Sequence, residues 1–330
     1  MAEFTTLLFY FYVDIDQNDL PSIIEEQIQL CQRLGMRGRF RVSPEGMNGT
    51  ADGEDDSIKE YMRCMDEDER WPQIHWKLGK CSEITRNPFL SVKKAKEVVS
   101  LDLHPKVNEK LKSIETGEHL SPEEFHSGLL EATKNGPNSN TILLDVRNLY
   151  ESRIGRFEAD GISTVDPMTR KFSDFRSFVD ENADDLRNKT IFAYCTGGVR
   201  CEKATQYLKY AAGVSNVKQC HGGIHAYLEQ FPDGGFFRGK NFVYDPRIAV
   251  APRDSSLVVG QCALCSAKYD NYEADIRCSL CRMLVLACDE CQNDRKEELE
   301  SIVCEHCHLS GRQTLKAQNL AQSEASAITA

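Results

Sequence analysis

The aromatic-rich stretch 5–13 alternates along its length, a period of two that predicts a half-buried strand, and Ile23, Ile24, Ile28, Cys31 and Leu34 then recur at helical spacing. Asn18 or Asp19 stands where that helix needs its N-cap. A strand over 39–43, a turn at Glu45-Gly-Met-Asn-Gly49, a short strand, a helix over 57–65 and strands over 74–80 and 91–101 follow. The order β-α-β-β-α-β predicts an α+β ferredoxin-like, or acylphosphatase-like, sandwich over residues 1–101.

Residues 102–117 are polar and weakly periodic, and read as a linker or an extra short helix. Ser121-Pro-Glu-Glu124 then offers an N-cap with proline at the first helical position, and Leu120, Phe125, Leu129 and Leu130 supply an apolar face. Short apolar runs at 141–145 and 190–194 leave no room for a helix and fit buried parallel strands. Helices predicted over 172–182, 201–212 and 224–230, a strand over 217–219 and a Gly222-Gly223 turn make 118–245 an α/β domain, a parallel sheet with helices on both faces. A cysteine-rich segment occupies 252–312, and the polar, alanine- and serine-rich tail 313–330 is predicted to be disordered.

Length and charge narrow the picture. A chain of 330 residues fits two or three domains of common size. A net charge of -11 argues against unspecific attraction to a polyanion, so any nucleic-acid contact must be local. The apolar run 7–13 has no basic segment before it and meets Asp14 and Asp16 at once, so neither a signal peptide nor a membrane span is expected. Fourteen cysteines, eight of them in CxxC pairs, then point to reduced thiols and metal in a cytoplasmic protein.

Cys195 ends the second apolar run and opens the loop Cys195-Thr196-Gly197-Gly198-Val199-Arg200. Ligands of open α/β sheets bind beyond the carboxyl ends of the strands. The two glycines let backbone N–H groups turn toward the sulfur, and the following helix aims its positive end there. The reactive form of cysteine is the thiolate. A helix terminus contributes about 0.3–1 kcal/mol against about 1.4 kcal/mol per pKa unit, so converging N–H donors and Arg200 must supply the rest. The bland reading is an inert buried thiol at a strand end. Four residues separate Cys195 from Arg200, one fewer than a cysteine phosphatase needs to wrap a tetrahedral phosphate, which disfavours that activity.

Asp145-Val-Arg147-Asn-Leu-Tyr-Glu151 and Cys195-x-x-Gly-x-Arg200 resemble the D-V-R-x-x-x-E element and the active loop of rhodaneses. The resemblance implies the rhodanese fold. Asp145, Arg147 and Glu151 then read either as a salt-bridged strand end or as direct participants. The flanks are similar to a narrower group, the tRNA uridine hydroxylase family. The similarity lies in Gly35-Met-Arg-Gly-Arg-Phe-Arg-Val-Ser-Pro-Glu-Gly-Met-Asn-Gly49, in Tyr194-Cys-Thr-Gly-Gly-Val-Arg-Cys-Glu-Lys-Ala204, in Gly222-Gly-Ile224 and in Phe242-Val-Tyr-Asp-Pro-Arg-Ile-Ala-Val250. The resemblance implies oxygen-dependent 5-hydroxylation of uridine at the wobble position of tRNA, with tRNA and not DNA as partner. Ile154-Gly-Arg-Phe-Glu158 departs from the family's V-G-H-F-E, and 164–172 follows its pattern only loosely.

Three functions stay open at this level, since the fold alone does not decide among them. A Cys195 thiolate adding to C6 of uridine would make C5 reactive toward oxygen, with Arg200 and the loop N–H groups holding an oxyanion or phosphate. In thiosulfate sulfurtransferase chemistry the same sulfur would carry a persulfide. A zinc-dependent RNA- or protein-binding module with a vestigial catalytic domain is the third. Cys201 is either a resolving thiol or a buried helix residue.

Arg37, Arg39 and Arg41 would share one strand face and, with Asn48, Lys93 and Lys94, form an RNA-binding stripe; otherwise they are a solvated face. Cys262-x-x-Cys265, Cys278-x-x-Cys281, Cys288-x-x-Cys291 and Cys304-x-x-Cys307 are separated by linkers of twelve, six and twelve residues. This spacing predicts two structural zinc sites of four thiolates each, paired sequentially or interleaved, with His306 or His308 as possible substitutes.

Overall fold

The computed structural model describes residues 3–136, 140–255 and 257–311; the tail expected to be disordered lies outside them. The first unit runs β1 (Glu3–Tyr12), α1 (Leu20–Arg33), β2 (Arg37–Ser43), β3 (Gly46–Gly53), α2 (Asp55–Asp66), β4 (Lys77–Ser82) and β5 (Leu90–Lys94). Its sheet order β4-β1-β3-β2-β5 is the ferredoxin-like arrangement with an extra parallel edge strand on β2. Asp19 occupies the N-cap of α1 but makes no side-chain capping bond. The last two strands begin or end several residues from their predicted places, because Ile74 and Val98 are buried in loops and not in strands.

Both helices cover one face of this sheet. Phe9, Phe40, Tyr61 and Met47 pack there, fully buried. The opposite face carries Leu8, Tyr10, Asn48, Thr50, Arg39 and Arg41, set in rows by the strand register: Tyr10 opposite Asn48, Asn48 opposite Arg41, Arg41 opposite Lys93. The expected turn at Glu45–Gly49 is shorter, Pro44 and Glu45 alone, and Gly46–Gly49 already belong to β3, where close neighbouring strands require glycine. A Cβ on Gly46, at φ +132, would meet the Phe11 carbonyl, and one on Gly49 would lie 2.6 Å from the Phe9 ring.

The stretch 102–117 forms α3 (Pro105–Leu111), whose Leu111 joins the core of the second unit. That unit continues with β6 (Glu118–Leu120), α4 (Pro122–Lys134), β7 (Thr141–Asp145), α5 (Leu149–Ser152), β8 (Gly155–Phe157), β9 (Ser163–Val165), α6 (Phe175–Glu181), α7 (Ala183–Arg187), β10 (Thr190–Tyr194), α8 (Val199–Tyr207), β11 (Asn216–Cys220) and α9 (Gly223–Gln230). The parallel sheet is ordered β6-β11-β10-β7-β9. Ile191 and Ala193 face α6 and α8, whereas Phe192 and Tyr194 face α4 and α9, so alternate residues of one strand serve two cores. The Ser121–Glu124 capping box forms as expected, with reciprocal bonds of 3.2 and 2.8 Å. The three-residue strands β6, β8 and β9 are too short to show a period in the sequence.

The cysteine-rich segment has little regular structure and folds around its sulfurs. It seats on the second unit through Leu149, Tyr150 and Met168. No helix among the described residues is long and apolar enough to cross a membrane.

Candidate active site

Parallel register places Asp145 beside Tyr194, so Cys195 leaves the sheet next to the Asp145-Val-Arg147 element. The helix begins at Val199, two residues earlier than expected, with Gly198 at φ +97 as its N-cap. Gly198 N–H donates to the Cys195 sulfur at 3.1 Å. The loop is held from behind by α9, where Ile224 and His225 N–H groups donate to the carbonyls of Cys195 and Thr196 at 2.9 and 3.0 Å. A Cβ on Gly223 would stand 2.5 Å from the Cys195 carbonyl oxygen, which explains a Gly-Gly turn at this point.

Burial alone would push the Cys195 thiol up. A hydrogen bond from Cys201, the Arg200 charge and the N–H groups of Arg200 and Cys201 outweigh it and pull the group down to about 5. Cys201, buried on α8, is pushed far up by burial and by the thiolate it serves, so it remains a donor thiol. Arg200 has a second engagement besides its charge on the sulfur. Its guanidinium is clamped to Glu151 at 2.6 and 2.7 Å and reaches Thr196 Oγ at 3.1 Å, so it is committed within the protein and not held free for an anion. Tyr244 Oη donates to Glu151 at 2.7 Å. Burial pushes the Glu151 carboxyl up, but the charge and hydrogen bonds of Arg200 prevail and keep it below its ordinary value. Asp145 and Arg147 form a separate buried pair, bidentate at 2.9 and 2.7 Å, with Arg147 also donating to the Gly155 carbonyl at 2.6 Å. That pair ties the ends of β7 and β8 together.

The loop faces the first unit. A cavity of about 710 Å³ lies between them, walled on one side by Thr196, Gly197, Val199 and Arg200, on the other by Leu8, Tyr10, Asn48, Thr50, Arg39 and Arg41. Cys195 itself is fully buried under the loop wall. Of the expected stripe, Arg39, Arg41 and Asn48 line the cavity; Lys93 continues the Arg41 row; Arg37 meets Glu83 at 3.7 Å; Lys94 pairs with core-facing Val42 and belongs to the other face of β5.

Several residues here were given no role by the sequence, and Lys77 lies outside every motif. Lys77 is 2% exposed, donates to the His75 carbonyl at 3.2 Å and stands 4.8 Å over the Tyr10 ring, and burial pulls its ammonium down to about 8. A lone lysine in a strand reads as solvated, and only the second unit buries it. Glu202 accepts from Tyr10 Oη at 3.1 Å. Lys203 pairs with Glu45 at 2.8 Å and Glu97 at 2.7 Å. Two motifs far apart in the chain, Glu45-to-Gly49 and Cys195-to-Ala204, are therefore one interface.

In the C-terminal segment the sulfurs fall into two groups, Cys262, Cys265, Cys288 and Cys291, and Cys278, Cys281, Cys304 and Cys307, each within 4.8 Å mutually. The pairing is interleaved. Neighbouring sulfurs approach to 3.5 and 3.6 Å, close to the edge of about 3.8 Å that a tetrahedron with metal–sulfur bonds near 2.3 Å requires. Both groups can hold a metal ion. His306 is engaged elsewhere, with Nδ1 2.9 Å from the Met168 carbonyl, and neither histidine joins a group.

Three family models match successive stretches of the chain. The UPF0176 acylphosphatase like domain matches residues 4–98, the rhodanese-like domain 128–230 and the rhodanase C-terminal family 238–319. The chain is 38% identical to "Rhodanese-like domain-containing protein 6" of Arabidopsis thaliana over 94% of its length, while spanning only 54% of that relative. It is 35% identical to "tRNA uridine(34) hydroxylase" of Listeria welshimeri, covering 76% of this chain and 73% of the relative. With the protein of the same name from Oceanobacillus iheyensis it shares 36% identity, covering 78% and 75%.

Proposed function

We propose that this chain, which belongs to the tRNA uridine(34) hydroxylase family, hydroxylates C5 of the wobble uridine of tRNA, with Cys195 as its catalytic residue and the reaction housed between the first two domains. The observation that carries the reading is the cavity. A volume of about 710 Å³ walled by Arg39, Arg41, Asn48 and Tyr10 is roomy for a nucleotide and far larger than thiosulfate needs.

In this reading the Cys195 thiolate adds to C6, and the electron density placed on C5 attacks molecular oxygen. One oxygen atom stays on C5; release of the other as water takes two electrons and two protons from a cellular reductant, two thiols becoming one disulfide, and loss of the C5 proton then expels the Cys195 thiolate from C6 and restores the C5–C6 double bond. The N–H group of Gly198 and the Cys201 thiol stabilise the thiolate, Arg200 and Glu151 keep the loop in shape, and Arg39 and Arg41 hold phosphate of the anticodon region. Each four-cysteine group holds a structural zinc, since four thiolates leave no position for water. We assign the protein to the cytoplasm, where its thiols stay reduced.

Mass spectrometry of tRNA nucleosides from cells with the wild-type protein, without it, and with Cys195→Ala tests the reading. The 5-hydroxyuridine-derived nucleosides should disappear in the last two; equal amounts in all three would sink it. Sulfur transfer is the second reading, favoured by the donors around the sulfur, which suit a persulfide equally well. Strong thiosulfate-to-cyanide turnover that Cys195→Ala abolishes would promote it.

A further inference from the structure

A second cavity, of about 440 Å³, lies beyond the first, and Tyr150, Arg170 and Lys171 line both. Its far wall belongs to the metal-clamped segment and includes Arg277 and Arg282. No carboxylate among the described residues lines it. In a chain of net charge -11, four cations converge with none in an ion pair among the described residues. Asp174, close by in sequence, is taken up by the backbone N–H groups of Arg170 and Lys171.

Two of these cations are fixed by neutral partners, which orient a charge without cancelling it. Arg277 donates to the carbonyls of Ala274 and Arg282 at 2.7 and 3.1 Å. Arg170 donates to the carbonyl of Cys281, a cysteine of the second sulfur group, at 2.9 Å. Arg282 follows Cys281 directly and sits at φ +63, so the sulfur knuckle itself sets where this residue stands.

We propose that the second cavity binds the phosphodiester backbone of the nucleotide next to the one in the first cavity, so that the metal-clamped segment is an RNA-binding surface as well as a folding clamp. The inference rests on the reading of the first cavity as a nucleotide site. A polynucleotide is the occupant that fits. The two cavities share a wall, so one continuous chain passes from the first to the second, and Tyr150, part of that shared wall, adds an aromatic ring beside the cations.

The test uses the full chain with its metal and an unmodified anticodon stem-loop carrying uridine at the wobble position. Binding is followed by fluorescence anisotropy across a salt series, with uridine 5′-monophosphate as a second ligand. Arg277→Gln with Arg282→Gln, neither of which lines the first cavity, should weaken stem-loop binding about tenfold or more and flatten the log–log salt slope by roughly 1.4, about 0.7 for each single-strand phosphate that is no longer neutralised. Affinity for the monophosphate should match the wild type's. Arg282→Gln alone should show half the change in slope, and metal content reports folding of both variants. An unchanged slope overturns the proposal and leaves the hydroxylase reading intact. Equal loss of monophosphate binding also overturns it, because the cations would then serve the first nucleotide's own phosphate. A wild-type protein that binds no stem-loop overturns both.

Discussion

The Cys195 loop and the C-terminal sulfur groups use the same side chain for opposite ends. At Cys195 a single sulfur is surrounded by donors: the Gly198 N–H, the Cys201 thiol and the Arg200 charge. In the C-terminal segment each sulfur is surrounded by three others, and Cys288 and Cys304 N–H groups donate to Cys262 and Cys278 at 3.3 Å. A lone thiolate keeps its lone pairs for chemistry. Four converging thiolates repel unless a cation sits among them, so their packing suits a metal ion, and a sulfur that ligates one has no lone pair free for reaction.

Removing metal should break the contrast most severely. Cys278→Ser is expected to lose one metal ion per chain and unfold its half of the segment, a loss of about 10 kcal/mol of local binding free energy. Elemental analysis and limited proteolysis read this. Cys195 should keep its alkylation midpoint, because its donors come from its own loop.

Glu151→Gln attacks the other side. It leaves Arg200, whose side chain is 8% exposed, without its counter-charge. Breaking such a pair costs about 3–5 kcal/mol, seen as a lower midpoint in denaturant unfolding. Metal content should match the wild type's, since neither four-cysteine group includes Glu151 or Arg200.

A pH series sharpens the comparison without mutation. With the Cys195 group near 5, its thiolate fraction is high across the neutral range and falls only as pH drops through about 5. The iodoacetamide rate of metal-loaded protein should therefore plateau above pH 6 and decline below it, with mass spectrometry locating the label on Cys195. Burial holds Cys31 up at about 12 and Cys220 higher still, so neither should react near neutral pH. A midpoint near 8 to 9 would show that the loop does not stabilise the thiolate. Burial beneath the loop wall should slow alkylation overall without moving the midpoint.

Much of this is legible in the chain because it depends on local order. The Ser121 N-cap and the short apolar runs of β7 and β10 need only near neighbours. The clamping of Arg200 is not legible, because its partner Glu151 lies 49 residues away and a buried carboxylate turns a free cation into a clamp. Lys77 is hidden for a related reason: its burial comes from a second domain.

Residue order alone places Cys195 at the end of a buried strand before a glycine turn, gathers eight cysteines in CxxC pairs into a metal-binding segment, and puts Arg39 and Arg41 on one strand face. These follow from spacing and from the fixed periods of strand and helix. Three-dimensional packing was needed to show that the sulfurs pair in interleaved fashion, that Lys203 fastens Glu45, and that the arginine face closes over the cysteine loop. Spacing fixes what a residue can reach along its own element. Which distant surface comes to meet it depends on how whole domains bury one another, and no period along the chain records that.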